Sequence, residues 1–179
     1  MNDVTIRNAT CEDAEAILTI YSYYVKYTAI TFEISMPTLD EFQQRIAETL
    51  TRYPYLVAIR NGIIVGYAYA GAFVGREAYN HSAELTIYLS PEEKGHGTGR
   101  KLYTALEQEL SVMGITNLYA CIGSPITPDE YLTHNSENFH AHLGFTKVGT
   151  FHKCGRKFDR YYNMIWMEKI LELVPDTNS

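Results

Sequence analysis

The sequence has little of what marks an extracellular, membrane or metal-binding protein. Only three cysteines occur in 179 residues, and Cys11, Cys121 and Cys154 lack the spacing of a disulfide framework or a zinc site. No apolar run is long enough to span a membrane, and residues 1–4 lack the basic and apolar regions of a signal peptide. We therefore expect a cytoplasmic protein with no membrane association and no bound metal.

Strong charge is also lacking, since 20% of the residues are charged and the formal net charge is −6. This balance disfavours a nucleic-acid partner, because proteins that bind phosphate backbones carry clustered positive charge. Hydrophobic residues make up 46% of the chain, which is an ordinary globular proportion. We expect one domain over residues 1–179 with a sizeable core.

Helix and strand signals alternate along the chain without repeats or linkers. Capping boxes at 10–13 and 38–41 precede helical spacing, and Asn61-Gly62 predicts a hairpin turn because both residues tolerate positive φ. Gly66 and Gly71 in the returning strand suggest a bulge or a bend.

The later elements are a strand at 117–122, a helix at 135–143 and strands at 145–151 and 161–168. The predicted order is therefore strand, two helices, three strands, helix, strand, helix and two strands.

A glycine run is the most informative stretch of the chain. Lys94-Gly95-His96-Gly97-Thr98-Gly99-Arg100 follows a strand at 83–89 and precedes a helical face of Leu102, Leu106 and Leu110. Alternating glycines leave backbone N–H groups unshielded at a helix N-terminus, where the helix dipole favours an anion. We expect a phosphate-bearing ligand there. Dinucleotide-binding and P-loop interpretations are weak, because neither Gly-x-Gly-x-x-Gly nor Gly-Lys-Ser/Thr occurs at this turn.

The element order and the glycine run together resemble the GNAT superfamily of acetyl-CoA-dependent N-acetyltransferases over nearly the whole chain. The family signature, Gln/Arg-x-x-Gly-x-Gly/Ala, has Lys94 at its first place here, which keeps the charge but not the planar fork. The resemblance implies an α/β (α+β) GNAT fold. That fold has a mixed central sheet of about seven strands, splayed at the strand before the glycine loop, with helices on both faces.

Further segments resemble the phosphinothricin acetyltransferase branch of that family. They are Thr31-Phe32-Glu33, Arg76-Glu77-Ala78-Tyr79, the run 136–145 and the run 155–164. The branch is usually dimeric, so the resemblance implies a homodimer, to which the aromatic-rich strand at 161–166 adds weak support.

The resemblance also implies a cofactor site for acetyl-CoA. Backbone groups of Ile87, Tyr88 and Leu89 would bind the pantetheine arm. The loop would hold the pyrophosphate, through Lys94, Gly95, His96, Gly97, Thr98, Gly99 and Arg100. A family asparagine that contacts the cofactor falls at Thr133 here, and Asn135, two residues further on, is expected to make that contact. The segment 125–135 is longer than usual and would border the cofactor arm.

Two residues are expected to carry the chemistry. Strand alternation places Glu84 on one face with Thr86 and Tyr88, and the resemblance gives Glu84 the role of general base, direct or through a water. A solvent-facing or ion-paired Glu84 is the alternative. His140 stands where the branch carries a histidine that protonates the leaving thiolate, and an imidazole titrates near pH 7.

Four residues match segments that line the substrate pocket in this branch: Phe32, Glu33, Arg76 and Tyr79. Arg76 offers a planar fork for a carboxylate or phosphinate, although a surface arginine is an equal alternative. The resemblance implies direct acetyl transfer to the amine of a small amino-acid-like molecule of the phosphinothricin or methionine sulfone/sulfoximine type. The alternatives are a GNAT enzyme for a peptide N-terminus or a polyamine, and a non-catalytic acyl-CoA-binding module.

Overall fold

A computed structural model describes residues 3–171 of the chain. The strands are β1 Thr5–Asn8, β2 Tyr55–Arg60, β3 Ile63–Ala72, β4 Ser82–Leu89, β5 Asn117–Ser124, β6 Thr146–Lys157 and β7 Arg160–Ile170. The helices are α1 Ala14–Tyr27, α2 Leu39–Leu50, α3 Thr98–Val112 and α4 Asn135–His142. The predicted order of elements is confirmed. The last two strands are longer than predicted, because their pairing continues to the turn between Lys157 and Arg160.

The seven strands form one mixed sheet in the order β1-β2-β3-β4-β5-β7-β6. Neighbouring strands are antiparallel except β4 and β5, which are parallel and joined through α3. Strand β7 lies between β5 and β6, so β6 forms one edge. The mixed sheet of about seven strands is confirmed.

Helices cover both faces of the sheet, as predicted. Ile17 of α1 and Phe42 and Ile46 of α2 pack on one face, while Leu102 and Leu106 of α3 pack in a separate core on the other. Burial of these apolar stripes is the main favourable contribution to the fold. No helix within residues 3–171 is long and apolar enough to cross a membrane.

The predicted capping box and strand bulge are present in the structure. The amide of Glu41 donates to Thr38 Oγ1 at 3.2 Å and the amide of Thr38 donates to Glu41 Oε2 at 2.7 Å, which closes the capping box of α2. The predicted bulge occurs next to Gly66, where the register between β2 and β3 shifts. Gly71 shows no bulge and pairs regularly with Glu84 of β4.

The sheet splays between its two parallel strands. Strands β4 and β5 pair over only three residues of β4, from Ser82 to Glu84. Beyond Glu84, β4 stays paired with β3 as far as Leu89, and β5 stays paired with β7 as far as Ser124. A gap therefore opens beside the far half of β4, and Glu84 lies where the gap begins.

The segment between α1 and α2 forms one wall beside this gap and is held by β6. Lys157 Nζ donates to the backbone oxygen of Thr31 at 2.9 Å. Phe32 packs directly over Gly155, so closely that a Cβ on Gly155 would lie 2.4 Å from the ring. The missing side chain of Gly155 therefore sets the position of Phe32.

We predict that Gly155→Ala displaces Phe32 and destabilises the fold by about 1–3 kcal/mol, the usual cost of overpacking. The matched control is Gly149→Ala on the same strand, where an added Cβ has no atom within 4 Å. Thermal unfolding should show a lower Tm for the first variant and an unchanged or higher Tm for the second. Equal values would contradict this account of the Phe32 wall.

Candidate active site

Two connected spaces occupy the gap between β4 and β5. The inner pocket, of about 250 Å³, is lined among others by Glu84, Thr86, Tyr103, Cys121 and His140. The outer cleft, of about 490 Å³, extends from there between α1, α4 and the far end of β4. Ile87, Tyr88 and Ser136 belong to both linings, so the two spaces meet at the splayed strand.

The outer cleft brings together five of the predicted cofactor residues: Ile87, Tyr88, Leu89, Lys94 and Asn135. Within residues 3–171, the edge of β4 beside the gap pairs with no strand beyond Glu84, which leaves backbone groups there open to a ligand. The backbone oxygen of Leu89 also accepts a hydrogen bond from the Tyr24 hydroxyl at 2.5 Å. Tyr131 and Leu132 line the cleft from the opposite side. The long segment 125–135 therefore forms a wall of this cleft.

The glycine loop turns sharply into α3. Gly95 and Gly97 have φ of 83° and 76°, a left-handed conformation that other residues rarely adopt, and α3 begins directly after Gly97. Position 99 favours glycine because of close packing, since a Cβ there would lie 3.0 Å from the ring of Phe139. The first amides of α3 have no acceptor within the helix, and the positive end of the helix dipole lies with them. His96 and Arg100 are exposed on the same loop.

A buried ion pair behind the loop was not found from the sequence. Glu93 is 5% exposed and accepts a hydrogen bond from Arg60 Nη2 at 2.6 Å. The Thr98 hydroxyl, at the first residue of α3, also donates to Glu93. Arg60 holds the pKa of the Glu93 carboxyl below its usual range. The loop is therefore anchored to β2, which no local pattern indicates because Arg60 lies 33 residues earlier.

Glu84 is half-buried at the base of the gap and lines the inner pocket. Its cross-strand neighbour is Gly71, which has no side chain and leaves open space beside the carboxyl group. Desolvation by burial raises the pKa of Glu84 above its ordinary value. A carboxylate in this environment is a better proton acceptor near neutral pH than an exposed one.

His140 is buried and neutral. Its Nδ1 lies 2.7 Å from the carbonyl oxygen of Ser136, which only accepts, so Nδ1 carries the proton. Its Nε2 therefore carries no proton and accepts a hydrogen bond from the Tyr103 hydroxyl at 2.9 Å. Burial lowers the pKa of His140 to about 4. The expectation of an imidazole that titrates near pH 7 is therefore wrong, because desolvation disfavours the charged form.

The four predicted substrate residues lie apart. Phe32 lines the inner pocket. Glu33 points away from it, receiving two hydrogen bonds from Arg45, at 2.7 and 3.1 Å, and one from the Tyr21 hydroxyl at 2.6 Å. Arg76 and Tyr79 are exposed on the loop between β3 and β4 and line neither the inner pocket nor the outer cleft.

Cys121 lies on the pocket side of β5. Burial raises the pKa of its thiol to about 11, so the group is not a thiolate near neutral pH. Within residues 3–171, no group of three or more His, Cys, Asp or Glu side chains is arranged to hold a metal ion.

The glycine loop, the splayed strand and the pocket carboxylate define an acyl-CoA-dependent transferase architecture. The family model described as "Acetyltransferase (GNAT) domain" matches residues 6–166. The chain therefore belongs to the GNAT family and is an N-acetyltransferase.

Two relatives indicate the branch. The chain is 32% identical to a phosphinothricin N-acetyltransferase of Streptomyces viridochromogenes, covering 95% of this chain and 89% of that protein. It is 31% identical to an L-methionine sulfoximine/L-methionine sulfone acetyltransferase of Salmonella typhimurium, covering 94% and 95%. The resemblance to the phosphinothricin acetyltransferase branch is confirmed.

Solved structures agree with this assignment. A phosphinothricin acetyltransferase of Sinorhizobium meliloti in complex with acetyl-CoA superposes with a TM-score of 0.86 at 32% identity, covering 97% of each chain. A ribosomal-protein-alanine N-acetyltransferase of Brucella melitensis gives a TM-score of 0.84 at 33% identity, covering 93% of this chain and 99% of that one. The GNAT fold is confirmed.

We predict that Gly97→Asp weakens CoA binding, whereas Gly97→Asn largely preserves it. Both side chains tolerate positive φ and cap a helix N-terminus, and the space around Gly97 is open, so only the added negative charge distinguishes them. We expect micromolar affinity for the unmodified chain, on the order of −8 kcal/mol. Calorimetry with CoA that gives equal affinities for the two variants would contradict an anion site at this loop.

We predict that His140 makes the protein less stable in acid. Its folded pKa is about 4, below the unfolded value of 6.5, so its contribution is present above pH 6.5 and is lost as the pH falls towards 4. The loss should be on the order of 3 kcal/mol. Chemical denaturation at several pH values should show a shallower dependence for His140→Gln. The exposed neighbour His142→Gln is the control and should keep the original slope.

Proposed function

We propose that this enzyme transfers acetyl directly from acetyl-CoA to the amine of a small amino-acid-like substrate. One observation carries the proposal: Glu84 lies where β4 leaves β5, and the same splayed strand leads from its pocket to the glycine loop. A donor held along the outer cleft would present its reactive end to an amine beside Glu84. The names of the relatives support an amino-acid-like substrate.

The residues present fit acetyl-CoA, which supplies the acetyl group as an activated thioester. The outer cleft is long and mainly apolar, which suits a pantetheine arm, and the free edge of β4 offers backbone hydrogen bonds along it. The amides from Gly95 to Gly99 would hold the pyrophosphate. Lys94 adds a positive charge at the boundary of the cleft and the loop.

Glu84 is the proposed general base. Amino acids bind mainly as ammonium ions at neutral pH, so the nitrogen must lose a proton before it can attack. The half-buried carboxylate takes this proton, directly or through a water, and its raised pKa suits that task. Cys121 does not act as a covalent carrier in this proposal, because its thiol stays protonated.

His140 is proposed as a positioning residue. At pH 7 a group with a pKa near 4 is protonated in only about one molecule in a thousand, so His140 is a poor proton donor for the leaving thiolate. Its Nε2 instead orients the Tyr103 hydroxyl, which lines the same pocket. Proton donation by His140 would require the thiolate's charge to raise this pKa by several units.

A second candidate is acetylation of a peptide N-terminus, which the alanine acetyltransferase fold match favours. The inner pocket, at about 250 Å³, is more suitable for a free amino acid than for a peptide segment. A panel of amino acids, N-terminal peptides and polyamines separates these classes. Phe32, Glu33, Arg76 and Tyr79 as substrate residues, the cytoplasmic location and the homodimer stay predictions.

We predict that Glu84→Gln lowers kcat by ~10²–10⁴, the usual contribution of a general base. The amide keeps the shape of the side chain but cannot accept the proton. The deficit should shrink at high pH, where more of the amine is already unprotonated. The measurement is the pH–rate profile with saturating acetyl-CoA and an accepted amine.

The control for this variant is Glu107→Gln, which changes a carboxylate that pairs with Lys169 away from the pocket. It should keep the wild-type profile. Wild-type kcat for Glu84→Gln below neutral pH would contradict the base assignment, while leaving the family membership intact.

A further inference from the structure

An aromatic cluster, consisting of the side chains of Phe73, Tyr119 and Trp166, lies on the sheet face that carries Glu84. Phe73 stacks on Tyr119 with the ring centroids 4.0 Å apart, and its ring meets that of Trp166 edge-on at 5.5 Å. Phe73 directly follows β3, whereas Tyr119 belongs to β5 and Trp166 to β7, so no single segment of the sequence contains the cluster. None of the three takes part in the proposed chemistry.

Strand register places this cluster directly beside the inner pocket. Tyr119 is the partner of Glu84 across the β4–β5 pair, and Trp166 is the partner of Cys121 across the β5–β7 pair. Paired residues project from the same face of a sheet. Glu84 and Cys121 both line the inner pocket, and Cys121 keeps contact with solvent. The pocket therefore reaches the surface next to the aromatic cluster.

The cluster lies on the side of Glu84 that the donor would leave free. The outer cleft leaves the inner pocket along residues 87–89 of β4, whereas the cluster lies where the gap begins. Gly71, the partner of Glu84 on β3, has open space where a Cβ would lie, so there is room beside the carboxyl group. An acceptor can approach Glu84 from this side while the donor occupies the outer cleft.

The rings of the cluster keep surface that a ligand could cover. Within residues 3–171, Phe73, Tyr119 and Trp166 belong to none of the hydrophobic cores, and all three are only partly buried. Tyr79 borders the cluster, meeting Phe73 edge-on at 6.1 Å, and is 41% exposed. Covering such aromatic surface with an apolar group is favourable.

We propose that the aromatic cluster is the side-chain subsite of the acceptor and that it favours a flat, apolar side chain, such as that of phenylalanine. This inference rests on the proposed function, because it places the acceptor amine beside Glu84. The side chain then leaves the inner pocket at its open side and packs against Phe73 and Trp166. A charged or strongly polar side chain would exchange water for ring surface, which returns few hydrogen bonds.

The test compares L-phenylalanine with L-alanine, which share the amine and the carboxylate and differ only in the phenyl ring. The wild type should have the higher kcat/KM for phenylalanine. Phe73→Ala should lower that value about tenfold, because an aromatic contact and its buried area are lost, and should leave the value for alanine nearly unchanged. Phe73→Leu keeps an apolar side chain and should give an intermediate ratio between the two substrates.

Trp166→Ala tests the cluster from β7 and should reduce the same ratio. The matched control is Phe151→Ala, which removes a 54% exposed ring from β6 on the same sheet face. Phe151 lines neither the inner pocket nor the outer cleft, so this variant should keep the wild-type ratio. Affinity for CoA, measured by calorimetry, reports whether each variant is folded, and Phe73→Leu carries the test if Trp166→Ala does not fold.

The outcomes separate this inference from the proposed function. If no amino acid is acetylated, the proposed function itself fails, and the subsite with it. If amino acids are acetylated but the wild type prefers alanine, or the Phe73 and Trp166 variants slow both substrates equally, only the subsite is refuted. If Phe151→Ala acts like Phe73→Ala and both change the sedimentation of the protein, this face is a contact between two copies of the chain, which also refutes the subsite.

Discussion

The loss of pairing between β4 and β5 beyond Glu84 is the constraint on which the functional geometry depends. Three pairs hold the parallel strands together, and after the third each strand follows its other neighbour. The gap creates the inner pocket, frees the edge of β4 for a ligand and leaves Glu84 half-buried at its base. A continuous sheet would have sealed all three behind backbone hydrogen bonds.

Positioning comes from contacts between segments that are distant in sequence. The glycine loop is anchored to β2 through Glu93 and Arg60, and the Phe32 wall is held by Gly155 and Lys157 of β6. The buried Glu93 carboxylate needs the charge of Arg60 as a partner. Phe32 can pack in its observed position only because Gly155 has no side chain.

The sequence predicted the order of elements, the mixed sheet and the glycine turn, but the chemical state of several side chains depends on their environment. His140 is at the predicted place in α4, yet burial against Tyr103 makes it neutral, which the residue type alone could not reveal. Glu33 lies on the predicted segment but pairs with Arg45, because α2 returns to cover it. Cys121 lines the inner pocket, because β4 no longer pairs with β5 at this position.

The sequence by itself determined what depends on neighbours along the chain. Capping boxes, the positive φ at Asn61 and Gly62, and the helix start after Gly97 follow from local sterics and hydrogen bonding. Only the tertiary structure decided where β4 and β5 separate and which groups lose their water. Those properties depend on desolvation and on packing between segments that are distant in the sequence, and local sequence patterns do not show which distant segments meet.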